Sequence, residues 1–252
     1  MWQMHAQNHS SRRLQEMAET RKPVAVVAGA GPGNGAALAR RFSAAGYAVA
    51  LLARSRDNLE GTLAGLDGAR GYACDVGDAA SVQAAFSGIR RDLGDVDVLL
   101  YNAGSGVFAD VESITPEQFE QAWRVNALGA LLCSQQVIAP MKANGHGSII
   151  FIGATASRRG NVQTAAFAPA KAAQRSLAES MARKLWPDGI HVALIIVDGI
   201  VDLPRTRQAM PGKPDDAFVD PAGVAEIAFQ LSEQPRRAWS FEVEARPFTE
   251  KW

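Results

Sequence analysis

The sequence predicts one α/β domain, a doubly wound parallel sheet with helices on both of its faces. Three observations predict it. Short apolar runs alternate with stretches of helical length from Pro23 onward, and strands that alternate with helices pair in parallel through right-handed crossovers. The first run, Val24-Ala25-Val26-Val27-Ala28, is apolar at every position, as suits a strand covered on both faces. It leads into Gly29-Ala30-Gly31-Pro32-Gly33-Asn34-Gly35 and then into Ala36 to Phe42. Glycines let a backbone turn sharply and approach a ligand closely. The helix behind them offers free amides and the positive end of its dipole to phosphate. Strand, glycine-rich turn and helix together make the opening unit of a Rossmann-type dinucleotide domain.

The bulk numbers fit that reading. A chain of 252 residues, 47% of them hydrophobic, has material for one large core. Lys and Arg total 26, as do Asp and Glu, so net charge gives no reason to expect nucleic acid. No apolar run reaches the length of a membrane span. Cys74 and Cys133 have no metal-site or CxxC spacing, which leaves two reduced thiols in a cytoplasmic protein and no metal site. Residues 1–22 are polar and lack the apolar core of a signal peptide. Leu14 and Met17 suit a short helix, but a mobile tail is the expectation there. Residues 23–252 then form the Rossmann domain.

The elements follow in order. Gly46 is placed to close the first helix in a left-handed conformation. Tyr47 to Ala53 reads as a second strand, with Ser55 an N-cap and Asp57 near the next helix dipole. Arg70 to Cys74 is a third strand, and Asp78 caps a helix that runs to about Leu93. Val96 to Tyr101 is a fourth strand, ending in Asn102-Ala103-Gly104. Thr115-Pro116-Glu117-Gln118 carries a cap, a first-turn proline and a capping-box glutamine. Its helix reaches Ala130 and continues towards Lys142. Ser148 to Ile152, Ile190 to Val197 and Trp239 to Glu244 are further strands, and Ala165 to Leu185 is a helix. The segment 198–219, with Pro204, Pro211, Gly212 and Pro214, reads as a lid with partial helix. Asp220-Pro221 starts the last helix. Ligands on such sheets bind beyond the carboxyl ends of the strands, so the loops at Gly29, Asn102, Gly153 and Asp198 line one cleft.

In these motifs the chain resembles the short-chain dehydrogenase/reductase family, from about Pro23 to Trp252. Gly29, Gly33 and Gly35 resemble its cofactor loop, with Gly31 and Asn34 between them, and Asn102-Ala103-Gly104 resembles its motif after the fourth strand. Asn126 and Lys171 fall at its expected catalytic positions. The resemblance implies a tyrosine hydroxyl as acid/base, a lysine that lowers its pKa and holds the nicotinamide ribose, a serine on the substrate carbonyl, and an asparagine supporting a proton relay. Here Phe167 stands at the tyrosine position and Ala154 at the serine position. The sequence is similar to a branch of the family that keeps the lysine and carries phenylalanine for tyrosine. Thr155 and Ser157 are the nearest hydroxyls, and Thr155 is the candidate substitute. The family's Pro-Gly pair is Asp198-Gly199 here, its threonine position falls at about Leu203, and Thr206 lies further on. Ile200 still has backbone groups to offer the nicotinamide.

Cofactor choice is read at the end of the second strand. NAD sites often place a carboxylate there for the ribose hydroxyls. Ala53-Arg54-Ser55-Arg56 offers arginine instead, whose planar donors match a 2′-phosphate. The expected cofactor is therefore NADP rather than NAD, although both arginines also suit a plain helix start. Asp75 either touches the adenine, as the family implies, or is a turn residue. Two functions remain open: an NAD(P)-dependent oxidoreductase with an atypical active site and an unread carbonyl or alcohol substrate, or a dinucleotide-binding protein without turnover that acts as sensor or oligomer partner. The helices at 118–142 and 165–185 resemble those the family pairs between subunits, which implies a homodimer or homotetramer. Ala170, Ala173, Leu177 and Met181 make a stripe that suits such an interface or an internal core. Phe108, Met210 and Phe218 suit either a substrate pocket or packing.

Overall fold

The computed structural model describes residues 21–250, except the side chains of Arg56 and Asn58. The expected tail helix at Leu14 and Met17 lies outside them. Arg21, at the far end of the expected tail, donates to the Asp97 carboxylate at 2.9 Å, and Asp97 also accepts from Val24 N–H.

Seven parallel strands form one sheet: β1 (Val24–Ala28), β2 (Ala48–Ala53), β3 (Arg70–Ala73), β4 (Val98–Tyr101), β5 (Gly147–Ala154), β6 (Ile190–Val197) and β7 (Glu242–Ala245), in the order β3-β2-β1-β4-β5-β6-β7. Strand order reverses between β1 and β4, whose registers pair Ala25 with Val98 and Ala28 with Tyr101. Every residue of β1 is buried. Side chains alternate between faces with period two, so Val24, Val26 and Ala28 enter one core and Ala25 and Val27 the other. The first core takes Phe86 and Ile89 of α3 (Ala79–Asp92), Cys133 and Val137 of α5 (Gly129–Asn144), and Met181 of α6 (Phe167–Leu185). The second takes Leu38 and Phe42 of α1 (Asn34–Ala44), Leu59 of α2 (Arg56–Leu63), and Val224 and Ala228 of α8 (Pro221–Ser232). Among the described residues no helix is long and apolar enough to cross a membrane.

The caps that orient the helices are those the sequence carries. Asp78 accepts from Ala80 N–H, and Asp220 accepts from Ala222 N–H. Thr115 and Gln118 close a reciprocal capping box on α4 (Pro116–Trp123). Gly46 has φ +89° beyond the end of α1.

Two expectations change. The helix drawn from Gln118 through Ala130 is interrupted by a π turn over Arg124–Leu128. The Tyr101 hydroxyl donates to Val125 O at 2.5 Å, and a Cβ on Gly129 would stand 2.4 Å from that hydroxyl. The tyrosine thus occupies a carbonyl that a regular α turn would engage. The last strand starts at Glu242 rather than Trp239. The Trp239 ring stacks on His191 with centroids 4.8 Å apart, and its indole donates to Gln234 O, which hold it off the ladder. On α6, Ala170 and Met181 are buried against the protein's own helices and sheet, while Ala173 and Leu177 are half-buried.

Candidate functional site

The switch point between β1 and β4 carries a cleft of about 1120 Å³. The glycine-rich turn, the ends of β2, β3 and β4, and the start of α7 (Pro204–Ala209) wall it. Of the expected cofactor residues, Gly29, Gly31, Arg54, Asp75, Asn102, Ala103 and Gly104 line it directly. Gly33, Asn34, Gly35, Lys171, Gly199 and Ile200 do not belong to its walls.

Close approach explains the glycines. Gly29 has φ +99°, and a Cβ there would stand 2.4 Å from Ala103 N. A Cβ on Gly35 would meet Gly29 O at 2.6 Å. These two glycines press the turn, α1 and the end of β4 together, and Asn102 Nδ2 donates to Gly29 O at 2.8 Å to hold them so. Gly31 has no atom within 4 Å of its Cβ position, so its backbone is open to the cleft. Leu203 covers Gly33. Asn34 Oδ1 is buried without a hydrogen-bond partner among the described residues. The cradle, the backbone open at Gly31 and the cationic Arg54 fit a dinucleotide.

Arg54 is exposed at the end of β2 and forms no ion pair among the described residues. Arg56, its expected companion, has a side chain outside the described ones. Asp75 makes the turn contact expected of it, its Oδ1 accepting from Gly77 N–H at 2.9 Å, and it also lines the cleft.

The expected catalytic positions lie behind and beside Gly104. Lys171 is 4% exposed; its Nζ donates to Ile152 O at 2.9 Å and to Gln174 Oε1 at 3.1 Å. Burial pushes its pKa down to about 7. Gln174 in turn donates to Asn126 O at 2.9 Å. Asn126 sits in the π turn, with Nδ2 donating to Ala122 O and Ser105 O, and its Oδ1 is buried with no partner. A Cβ on Gly104 would lie 3.5 Å from that Oδ1 and 3.9 Å from Lys171 Nζ. Amine and amide therefore stand just behind the cleft wall.

Phe167 packs on Phe108 with ring centroids 5.6 Å apart, and Lys171 Nζ lies 6.0 Å from its ring centre. Ala154 closes β5 and donates its N–H to Ser157 Oγ. The Thr155 hydroxyl donates to the Asp198 carboxylate at 2.5 Å, so its oxygen faces β6 and not the cleft. Thr206 Oγ1 accepts from Leu203 N–H and lies 2.7 Å from Val201 O, inside its own turn. Ile200 O accepts from Val219 N–H, and Gly199 is packed against Pro247 and Val219. Phe218 is buried under Arg207 and Lys213, whereas Phe108 is 64% exposed and Met210 39%. Among the described residues no His, Cys, Asp or Glu cluster suits a metal.

Sequence reading missed Ser105, Gly106, Gln121, Val125, Pro204 and Arg205 in the wall, and Gln174 behind it. A basic residue straight after a proline helix start was a readable sign for Arg205. Gln174 had its i+3 spacing from Lys171 on one helix face.

Residues 23–212 match the family model described as short chain dehydrogenase. The chain is 32% identical to the 3-oxoacyl-[acyl-carrier-protein] reductase MabA of Mycobacterium tuberculosis, over 82% of this chain and 85% of that protein. A crystal structure of a short-chain dehydrogenase from Rhodopseudomonas palustris superposes with a TM-score of 0.77 at 33% identity, covering 90% of this chain and all of that one. A metagenomic short-chain oxidoreductase in complex with NADP gives 0.78 at 26% identity, covering 91% and 99%.

Proposed function

The chain belongs to the short-chain dehydrogenase family, and we propose that it binds NADP in preference to NAD and turns over ordinary carbonyls poorly. The observation that carries the reading is the contrast within one site. The dinucleotide cradle at Gly29, Gly31 and Asn102 is intact, while the two positions that supply catalytic hydroxyls hold Phe167 and Ala154. Arg54 supports the choice of NADP, because no carboxylate stands at the end of β2, and a similar structure was solved with NADP.

A bound nicotinamide supplies hydride. This chain's residues position it and manage the proton. Gly104 leaves room for the reacting groups in front of Lys171 and Asn126. Lys171, just behind the cleft wall between Ile152 O and Gln174, would hold the nicotinamide ribose. The Phe167 ring offers an apolar wall and no exchangeable proton, which supports the reading of a family branch that carries phenylalanine there. Positioned acid/base groups typically contribute about 100- to 10,000-fold in rate, so their loss leaves slow turnover that rests on positioning.

The second reading, a dinucleotide-bound sensor or oligomer partner, rests on the same vacant positions and on Thr155 being engaged by Asp198. Self-association as a homodimer or homotetramer belongs to either reading, and the exposed Phe119 and Trp123 on α4 support it. Fluorescence titration with NADPH and NADH tests the binding: tighter binding of NADPH is expected, and no affinity for either removes the proposal. Rapid NADPH oxidation with a simple ketone would overturn the poor turnover.

A further inference from the structure

The segment after β6 carries two arginines two residues apart, with different surroundings. Arg207 is fully engaged: it donates twice to Asp202 at 2.7 Å, pairs with Asp215, and lies over the Phe218 ring. Arg205 lines the cleft and forms no ion pair or hydrogen bond among the described residues. The segment between them and the glycine-rich turn is held in place. Leu203 fills the space over Gly33, to the point that a Cβ there would stand 2.1 Å from Leu203 Cδ2. Thr206 ties the start of α7 to Val201 and Leu203, and Val201 bridges to Val219. The result is a cation on an anchored segment, lining the same cleft as Arg54 and as Gly31, whose backbone is open.

We propose that Arg205 is a pyrophosphate-clamping residue: it closes the cleft from the side of segment 198–219 and meets the diphosphate bridge that NADP and NAD share. This rests on the dinucleotide reading above. Pairing of Arg207 with Asp202 and Asp215 keeps the two aspartates from neutralising Arg205, and the planar guanidinium matches phosphate oxygens. Arg54 and Arg205 thereby divide the work. Arg54 chooses between cofactors at the 2′-phosphate, and Arg205 raises affinity for both.

The test is a competition titration of NADP, NAD, ADP and 2′-AMP on the wild type, Arg205→Ala, Arg205→Lys and Arg54→Ala. Arg205 has no partner among the described residues, so the apo thermal midpoint of Arg205→Ala should match the wild type. A charge-assisted contact predicts that Arg205→Ala weakens NADP, NAD and ADP alike, by about tenfold or more, and leaves 2′-AMP unchanged. Arg205→Lys should recover part of the loss, and Arg54→Ala should weaken NADP and 2′-AMP alone. Equal affinities for wild type and Arg205→Ala overturn the clamp while the dinucleotide reading stands. Loss confined to NADP and 2′-AMP also overturns it, since the contact would then be to the 2′-phosphate. A wild type that binds none of the four overturns both.

Discussion

Lys171 has a carbonyl and an amide oxygen for partners and almost no access to water. Burial without a countercharge disfavours its ammonium form, so its folded pKa falls to about 7 from 10.5. Between those values the unfolded chain binds the extra proton, and stability therefore rises with pH from 7 towards 10. Burial pushes the Cys74 thiol up to about 11 and the Tyr72 hydroxyl up to about 12, while thiols of the unfolded chain titrate at about 8.5, which makes about pH 7 to 8 the cleaner window. The expected outcome is a wild-type thermal midpoint that climbs across this window and a Lys171→Met midpoint that stays flatter; equal slopes would refute the buried amine's part. On the proposed reading, Phe167 and Ala154 lack the hydroxyls that the family's chemistry uses. The double change Phe167→Tyr with Ala154→Ser should raise NADPH-dependent ketone reduction by about 100-fold or more, the ordinary worth of placed acid/base groups. A parent that already matches the double variant would reveal another proton donor. Both positions are read through the family resemblance: Phe167 stands one helical turn before Lys171, and Ala154 is counted back from Phe167 by the family's spacing.

The capping box of Thr115 and Gln118 and the glycines of the first turn act at the level of the element. Thr115→Ala removes an acceptor for Gln118 N–H and should cost about 1 kcal/mol, read as a shifted midpoint in urea at unchanged slope. Gly29→Ala is a harsher change. It forces a side chain onto φ +99° and into Ala103 N, so it should lower stability and abolish dinucleotide binding together, measured by melting and by NADPH titration. These elements were legible because caps and positive-φ glycines are written in adjacent residues. The π turn was not. It exists because Tyr101, on a strand far back in the chain, engages Val125 O, and because Gly129 lets that hydroxyl come close. Asn126 owes its inward placement to this turn, and a helical period drawn through the segment had no means of registering it. Trp239 is a similar case, held off the ladder by His191.

For the molecule as a whole, ligand binding and folding are linked. The cleft is built from β1, β2, β3 and β4 ends and from α7, so occupancy by NADPH should stabilise the entire sheet cooperatively. At a free concentration of 100 times Kd the gain is about 2.7 kcal/mol, which for a domain of this size predicts a rise in midpoint of about 5–10 °C by calorimetry. A smaller rise with NADH at the same concentration is expected from Arg54. Failure of NADPH to move the midpoint would count against the cleft as a dinucleotide site.

The sequence by itself determined the alternation of strands and helices, the caps and the opening glycine turn. Each of these rests on residues near one another in the chain, where period, spacing and side-chain chemistry suffice. Tertiary structure decided what lies across long gaps. It set Lys171, Gln174 and Asn126 in one buried network behind Gly104, turned Thr155 onto Asp198, and seated Leu203 on Gly33 so that Arg205 faces the cleft. Such contacts depend on strand order and on which face each helix packs, and packing between distant segments has no periodic signature in the chain.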